Sequence, residues 1–112
     1  MRISFDSARL RKLANSDKEA LKRLGKQGAK KLRARLDELD AAGSLDEMRN
    51  LPAARCHELK GNRAGSLAVR LHGGWRVVFK PDHDPPPQRE DGGLEWREIT
   101  DIRITGITDY HD

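Results

Sequence analysis

Between His57 and Lys80 the chain reads H-E-L-K-G-N-R-A-G-S-L-A-V-R-L-H-G-G-W-R-V-V-F-K. This stretch holds His57, Lys60, Arg63, Arg70, His72, Arg76 and Lys80, with Glu58 its only acid. Many of these side chains alternate with Leu, Val and Trp, the pattern of a half-buried strand. Cations displayed on pleats, rather than only in loops, are raw material for a phosphate site, because guanidinium and ammonium groups donate several hydrogen bonds to anionic oxygens. Near the far end, Asp109-Tyr110-His111 adds three groups able to hold or move protons. Residue types alone therefore reach a basic sheet that binds RNA or another phosphate polyanion.

The elements that must position these residues follow from periodicity. Arg2 to Phe5 reads as a short strand, and Asp6 or Ser7 caps a brief helix through about Asn15. Ser16-Asp17-Lys18-Glu19 is a capping box. After it Leu21, Leu24, Gly28, Leu32, Leu36 and Leu39 form one apolar stripe on a long helix ending near Ala42. Gly25 and Gly28 mark a kink or a close contact within it. Lys22, Lys26, Lys30, Lys31 and Arg33 fall off the stripe and are expected to face solvent. A second capping box, Ser44 to Glu47, starts a single turn that Pro52 ends. Strands are expected at Arg55 to Leu59, Ser66 to His72 and Trp75 to Lys80, with Gly73-Gly74 as a two-residue hairpin loop. Residues 81–95, rich in proline, glycine and acids, cannot be regular structure. Asp82-His83-Asp84 lies in this loop and lacks a fourth metal ligand nearby. Trp96 anchors the loop's end, and alternation resumes from Ile99 with a bulge at Gly106. The expected class is α+β: an N-terminal strand and helices packed on one face of a small, mainly antiparallel β-sheet, the other face left partly open.

Size and composition bound the possibilities. A chain of 112 residues is one expected domain, 1–112, with a modest core. Aromatics make up only 4%, so that core is mostly aliphatic. The charged fraction of 36%, and the absence of any apolar run near the roughly 20 residues of a membrane span, point away from a membrane protein. The start, M-R-I-S-F-D-S, has no apolar core of a signal peptide, so a cytoplasmic location is expected. Cys56 is the only cysteine; it reads as a small strand hydrophobe and excludes an internal disulfide. Residues 81–112 hold nine acids against three Lys/Arg, so the net charge of +4 hides a basic body and an acidic end. A basic centre of this kind attracts nucleic acid.

The combination C-H-E-L-K-G-N-R-A-G-S-L-A-V-R-L-H-G-G-W-R-V-V-F-K-P, followed by I-T-D-Y-H, resembles the HigB branch of the RelE-like toxins of type II toxin–antitoxin systems. The residues that carry the likeness are His57, Lys60-Gly61-Asn62-Arg63, Gly65, Trp75-Arg76 and Asp109-Tyr110-His111. His72 stands where members often carry a second arginine, and the acidic loop of residues 81–95 is missing from shorter members. The resemblance implies a RelE-like fold and a ribosome-dependent endoribonuclease that cleaves mRNA in the 30S decoding site and inhibits translation. It also implies neutralisation by a HigA-like antitoxin, and neither a metal nor another cofactor.

Cleaving RNA without a metal requires that the 2′-OH lose a proton, the phosphorane charge be held and the leaving 5′-oxygen gain a proton. His57 and His111 are the shuttles in this reading, since imidazole as a class titrates near neutrality. Asp109 fixes an imidazole tautomer or serves as the base. Arg76 suits the non-bridging oxygens, Lys60 adds a point charge, and Tyr110 bonds the phosphate or stacks on a base. Arg63, Arg70, His72 and Lys80 are candidate RNA contacts. Hairpin parity divides the two arginines: a two-residue loop sets Leu71 opposite Arg76 and Arg70 opposite Val77, so Arg70 and Arg76 would face opposite sides. That favours Arg76 for the scissile phosphate and leaves Arg70 a secondary role. The competing reading is a noncatalytic RelE-like module that binds its antitoxin and tunes operator binding. A sequence-specific DNA binder lacks any helix-turn-helix signature here.

Overall fold

A computed structural model describes residues 1–109. In chain order these form strand β1 (Arg2–Phe5), helices α1 (Ala8–Asn15) and α2 (Asp17–Ala41), then strands β2 (His57–Glu58), β3 (Leu67–Arg70), β4 (Trp75–Pro81) and β5 (Asp101–Asp109), with short 3-10 turns between. The fold is α+β. Both helix starts are capped as their residues dictate: the Ser7 hydroxyl accepts from the Leu10 amide and Ser16 from Glu19, each at 3.2 Å. Glu47 closes the second box by accepting from the Ser44 amide at 3.2 Å.

The five strands form one sheet in the order β1-β5-β4-β3-β2. β2, β3, β4 and β5 pair antiparallel, while β1 joins the far edge parallel to β5. Helices cover the face that carries Leu67, Val69, Val77, Phe79, Ile104 and Ile107, and the principal core lies between. Phe79, Leu32, Leu39, Ile102 and Ile104 are fully buried there. Each such side chain contributes roughly 1.5–3 kcal/mol by leaving water.

Two expectations about these elements are corrected. Leu21 is 53% exposed and not part of the inward stripe. Gly25, at φ 75° and ψ 177°, interrupts α2, so that Ala20 rather than Leu21 takes the buried position one turn earlier. The strand expected from Arg55 to Leu59 shrinks to two residues, because Arg55 adopts a left-handed conformation at the end of the 3-10 turn Pro52–Ala54. Arg35, unremarked in the stripe, is buried in α2 and 5% exposed.

Residues 82–95 form no helix or strand beyond a single bridge between Gln88 and Leu94. The segment is tied at both ends. His83 Nε2 accepts from the amides of Thr100 and Asp101 at 3.1 and 3.3 Å. Trp96 is buried, its indole N–H donates to Glu58 Oε2 at 3.0 Å, and the Arg49 guanidinium lies 4.0 Å over its ring.

Candidate functional site

The sheet register decides which side chains share the helix-free face, since directly opposed residues point the same way. His57 pairs with Ala68, Ala68 with Val78, and Arg70 with Arg76. Arg76 pairs in turn with Thr108, and Lys80 with Arg103. Val69, Val77 and Ile107 occupy the alternate positions and point into the core. His57, Arg70, Arg76, Lys80, Arg103 and Thr108 therefore stand on the open face. Leu59, Ala68 and Val78 form a small apolar floor among them.

Arg70 and Arg76 are thus neighbours on one side, against the parity expected from a two-residue loop. The turn is one residue longer. Trp75 N donates to His72 O at 3.1 Å, Leu71 N donates to Trp75 O at 3.0 Å, and Gly73 takes φ 62°. A left-handed glycine inside a longer turn shifts the pairing by one residue and so reverses every side. Arg70 is exposed, while Arg76 and His57 are half-buried.

His57 Nδ1 lies 2.7 Å from the Arg55 carbonyl oxygen. A carbonyl can only accept, so Nδ1 carries the proton and Nε2 holds the lone pair of the neutral ring. The left-handed turn at Arg55, at φ 45° and ψ 50°, places that carbonyl two residues upstream of the ring. A device that sets the imidazole tautomer is therefore present, and it is backbone rather than a carboxylate.

Arg35 supports this face from behind. Its Nε donates to Arg70 O at 2.9 Å and its Nη2 to Ala53 O at 3.2 Å, while Nη1 pairs with Glu38 Oε1 at 2.9 Å. One planar fork thereby fixes the end of β3 and the turn leading to β2. Sequence periodicity placed position 35 beside Leu36 but gave no sign that a charge would be enclosed. Thr108 was also missed; it is identifiable only once the bulge between Ile104 and Gly106 is counted, because the bulge decides which residue opposes Arg76.

Arg103 is answered by carboxylates: its Nε lies 2.8 Å from Asp6 Oδ1, an ion pair whose angle falls short of a hydrogen bond, and its Nη1 is 4.0 Å from Asp82. The β1 side is neutralised in this way. The β3–β4 side displays Arg70, Arg76 and Lys80, with Arg76 and Lys80 about 13 Å apart along β4 at the usual rise.

The remaining sequence candidates are scattered. Lys60 and Arg63 are exposed in the β2–β3 connection, which leaves the sheet at the Lys80 end. His72 is exposed in the hairpin turn at the opposite, Arg76 end. Asp109 pairs with Trp75, and Trp75 packs against the core beneath the Arg23 guanidinium. Asp109 therefore stands on the helix side, away from His57 and Arg76, and strand alternation is the reason. Tyr110 and His111 lie outside the described residues. Cys56 is not a nucleophile: burial pushes its thiol up to about 12, against the lowering influence of Arg49 and with a further push from Glu58.

Residues 3–84 match the pattern of the HigB-like toxins, the RelE-like toxins of HigB type II toxin–antitoxin systems. The matched span is well over half of the chain. This chain belongs to the HigB-like toxin family. The toxin-family match takes in the helical half as well as the His57–Lys80 stretch, and it stops before most of the acidic loop and the whole of β5. No curated protein sequence matches the chain. Among solved structures, the YoeB–YefM complex from Staphylococcus aureus is similar at 21% identity, covering 100% of this chain and 98% of that one, with a TM-score of 0.54. The YoeB/ParE toxin from Agrobacterium tumefaciens is similar at 13% identity, covering 99% and 100%, with a TM-score of 0.50. These likenesses establish the RelE-like toxin fold of this HigB-like chain.

Proposed function

We propose that this HigB-like chain is a ribosome-dependent endoribonuclease that cleaves mRNA in the decoding site without a metal ion. The observation that carries the reading is the opposed pair Arg70–Arg76 on the helix-free face, one pleat from His57. Two guanidiniums side by side suit the oxygens of one phosphodiester, and the negative charge that builds on the phosphorane is where fixed cations act most strongly. His57 Nε2 takes the 2′-OH proton, the 2′-oxygen bonds to phosphorus, and the P–O5′ bond breaks. The leaving 5′-oxygen then receives a proton, for which His111 is the proposed donor. The products are a 2′,3′-cyclic phosphate and a 5′-OH end. Tyr110 is proposed to hold the phosphate or stack on a base, while Lys60, Arg63, His72 and Lys80 hold neighbouring phosphates. Asp109 is proposed only as a contributor to the tail's position, since the Arg55 carbonyl already sets the His57 tautomer.

The surface is small, so the ribosome supplies much of the positioning of mRNA. The proposed antitoxin partner follows from the family and from the solved YoeB–YefM complex. Inducing the chain alone and mapping mRNA 5′ ends tests the reading. New ends at translated codons and growth arrest are expected, unaffected by chelation of free metal while ribosomes stay intact. Continued growth with no new ends would leave a noncatalytic, antitoxin-binding module.

A further inference from the structure

The charge on the helices is not absorbed by this reading. Residues 8–33 hold ten Lys/Arg against Asp17 and Glu19 alone. Lys18, Lys22, Lys26 and Lys30 recur every four residues, and all four are exposed. They run along the outer side of α2, opposite the buried row Ala20, Leu24, Gly28 and Leu32. Among the described residues none of these four lysines forms an ion pair; the nearby Arg33 is engaged by Asp37 and the Ala14 carbonyl. Gly25 breaks the helix between Lys22 and Lys26, so the row consists of two exposed pairs, Lys18–Lys22 and Lys26–Lys30, each about 6 Å long at the helical rise. Because the helices cover the core side of the sheet, this row looks away from Arg70 and Arg76, and the molecule carries basic surfaces on opposite sides.

We infer that the α2 lysine row is a second polyanion-binding surface, one that takes the phosphate backbone of structured, double-helical RNA. The inference rests on the ribosomal reading above only for the source of that RNA. An RNA backbone fits better than an acidic protein. Protein interfaces depend on aliphatic and aromatic anchors, and Leu21 is the only large hydrophobic residue strongly exposed among those described. Nucleic-acid interfaces are instead polar and densely cationic. Lysine, a mobile point charge, suits a regular phosphate array that must be held without reading sequence.

Binding of a short fluorescent RNA duplex, with a single-stranded RNA of the same length beside it, tests the assignment over roughly 50 to 200 mM salt. The variant Lys22→Glu/Lys26→Glu/Lys30→Glu is expected to weaken duplex binding at least about tenfold and to flatten the salt dependence by two to three charges, roughly one per lost lysine. Arg70→Ala/Arg76→Ala is expected to weaken binding of the single-stranded RNA more than that of the duplex, the reverse of the lysine variant, because those arginines lie on the other face. The neutral variant with Gln at the same three lysines, monitored by circular dichroism, gives an intermediate loss with the fold intact. Duplex binding unchanged in both lysine variants overturns the inference. So does unchanged duplex binding accompanied by loss of antitoxin binding, which would make the row a protein interface. Neither readout involves cleavage, so a chain that binds duplex through α2 yet cuts no mRNA would sink the nuclease reading and leave this one standing.

Discussion

Arg35 Nε donates to the main-chain oxygen of Arg70 at 2.9 Å, joining a buried helix position to the strand end that carries a cation on the open face. The same guanidinium holds Ala53 O, just upstream of the left-handed Arg55 whose carbonyl meets the His57 ring. Both halves of the proposed site, the arginine pair and the histidine, thus depend on one enclosed charge. The charge is tolerated because each nitrogen has an acceptor and because Glu38 balances it.

Truncating that fork has a definite expected outcome. Arg35→Met leaves two carbonyls without their donor and Glu38 without its cation, and should lower the unfolding free energy by about 3 kcal/mol. Arg35→Lys should recover less than half of it, since one ammonium cannot reach three divergent acceptors. Urea denaturation followed by circular dichroism measures both. Near-wild-type stability in Arg35→Met would show that the buried charge is dispensable.

The register makes a kinetic prediction. Arg76→Ala should lower ribosome-dependent cleavage by about 10²–10³-fold, the scale of losing one stabiliser of developing charge. Arg70→Ala should cost about tenfold, and the double variant should depart from additivity by roughly 0.5–3 kcal/mol, as residues in contact do. Single-turnover cleavage on programmed ribosomes reads the coupling. Strict additivity would mean that the two arginines do not act on one phosphate.

Much of the architecture was legible because local rules fixed it. Ser7, Ser16 and Glu47 cap where their types and spacings predict, and alternation located Leu67 to Arg70 and Trp75 to Pro81. What stayed hidden depends on long-range partners or on a single backbone angle. Nothing local in Arg2 to Phe5 says that it will pair in parallel with residues 101–104. Gly73 at positive φ lengthened the hairpin by one residue, and that one residue moved Arg70 across the sheet relative to Arg76. The Arg55 turn, which sets the His57 tautomer, is unreadable because a non-glycine at positive φ has no sequence signature.

Cys56 yields a prediction about pH. Burial pushes its thiol up to about 12, so at pH 8 the folded protein should react slowly with thiol reagents and quickly once urea unfolds it. The group's folded pKa exceeds its unfolded value of 9.0, so its stabilising share is complete below pH 9 and is lost as pH rises toward 12. Cys56→Ala should therefore flatten the decline in stability between those values. Prompt labelling of the folded protein at pH 8, or an identical alkaline decline in the variant, would contradict the assignment.

The two helical glycines should fail for different reasons. Gly25 sits at φ 75° and ψ 177°, a region that only glycine enters freely, yet a Cβ added there meets nothing within 4 Å. Gly25→Ala should cost about 1–3 kcal/mol through the backbone alone. A Cβ on Gly28 would instead lie 2.7 Å from Leu24 Cβ, so Gly28→Ala is overpacked by roughly 1–3 kcal/mol. A double-mutant cycle separates the causes. In a Leu24→Gly background the cost of Gly28→Ala should largely vanish, because the clashing Cβ is gone, while the cost of Gly25→Ala should persist. If both costs persist in that background, the Gly28 contact is not steric; if both vanish, the Gly25 conformation is set by Leu24 and not by the absence of a side chain.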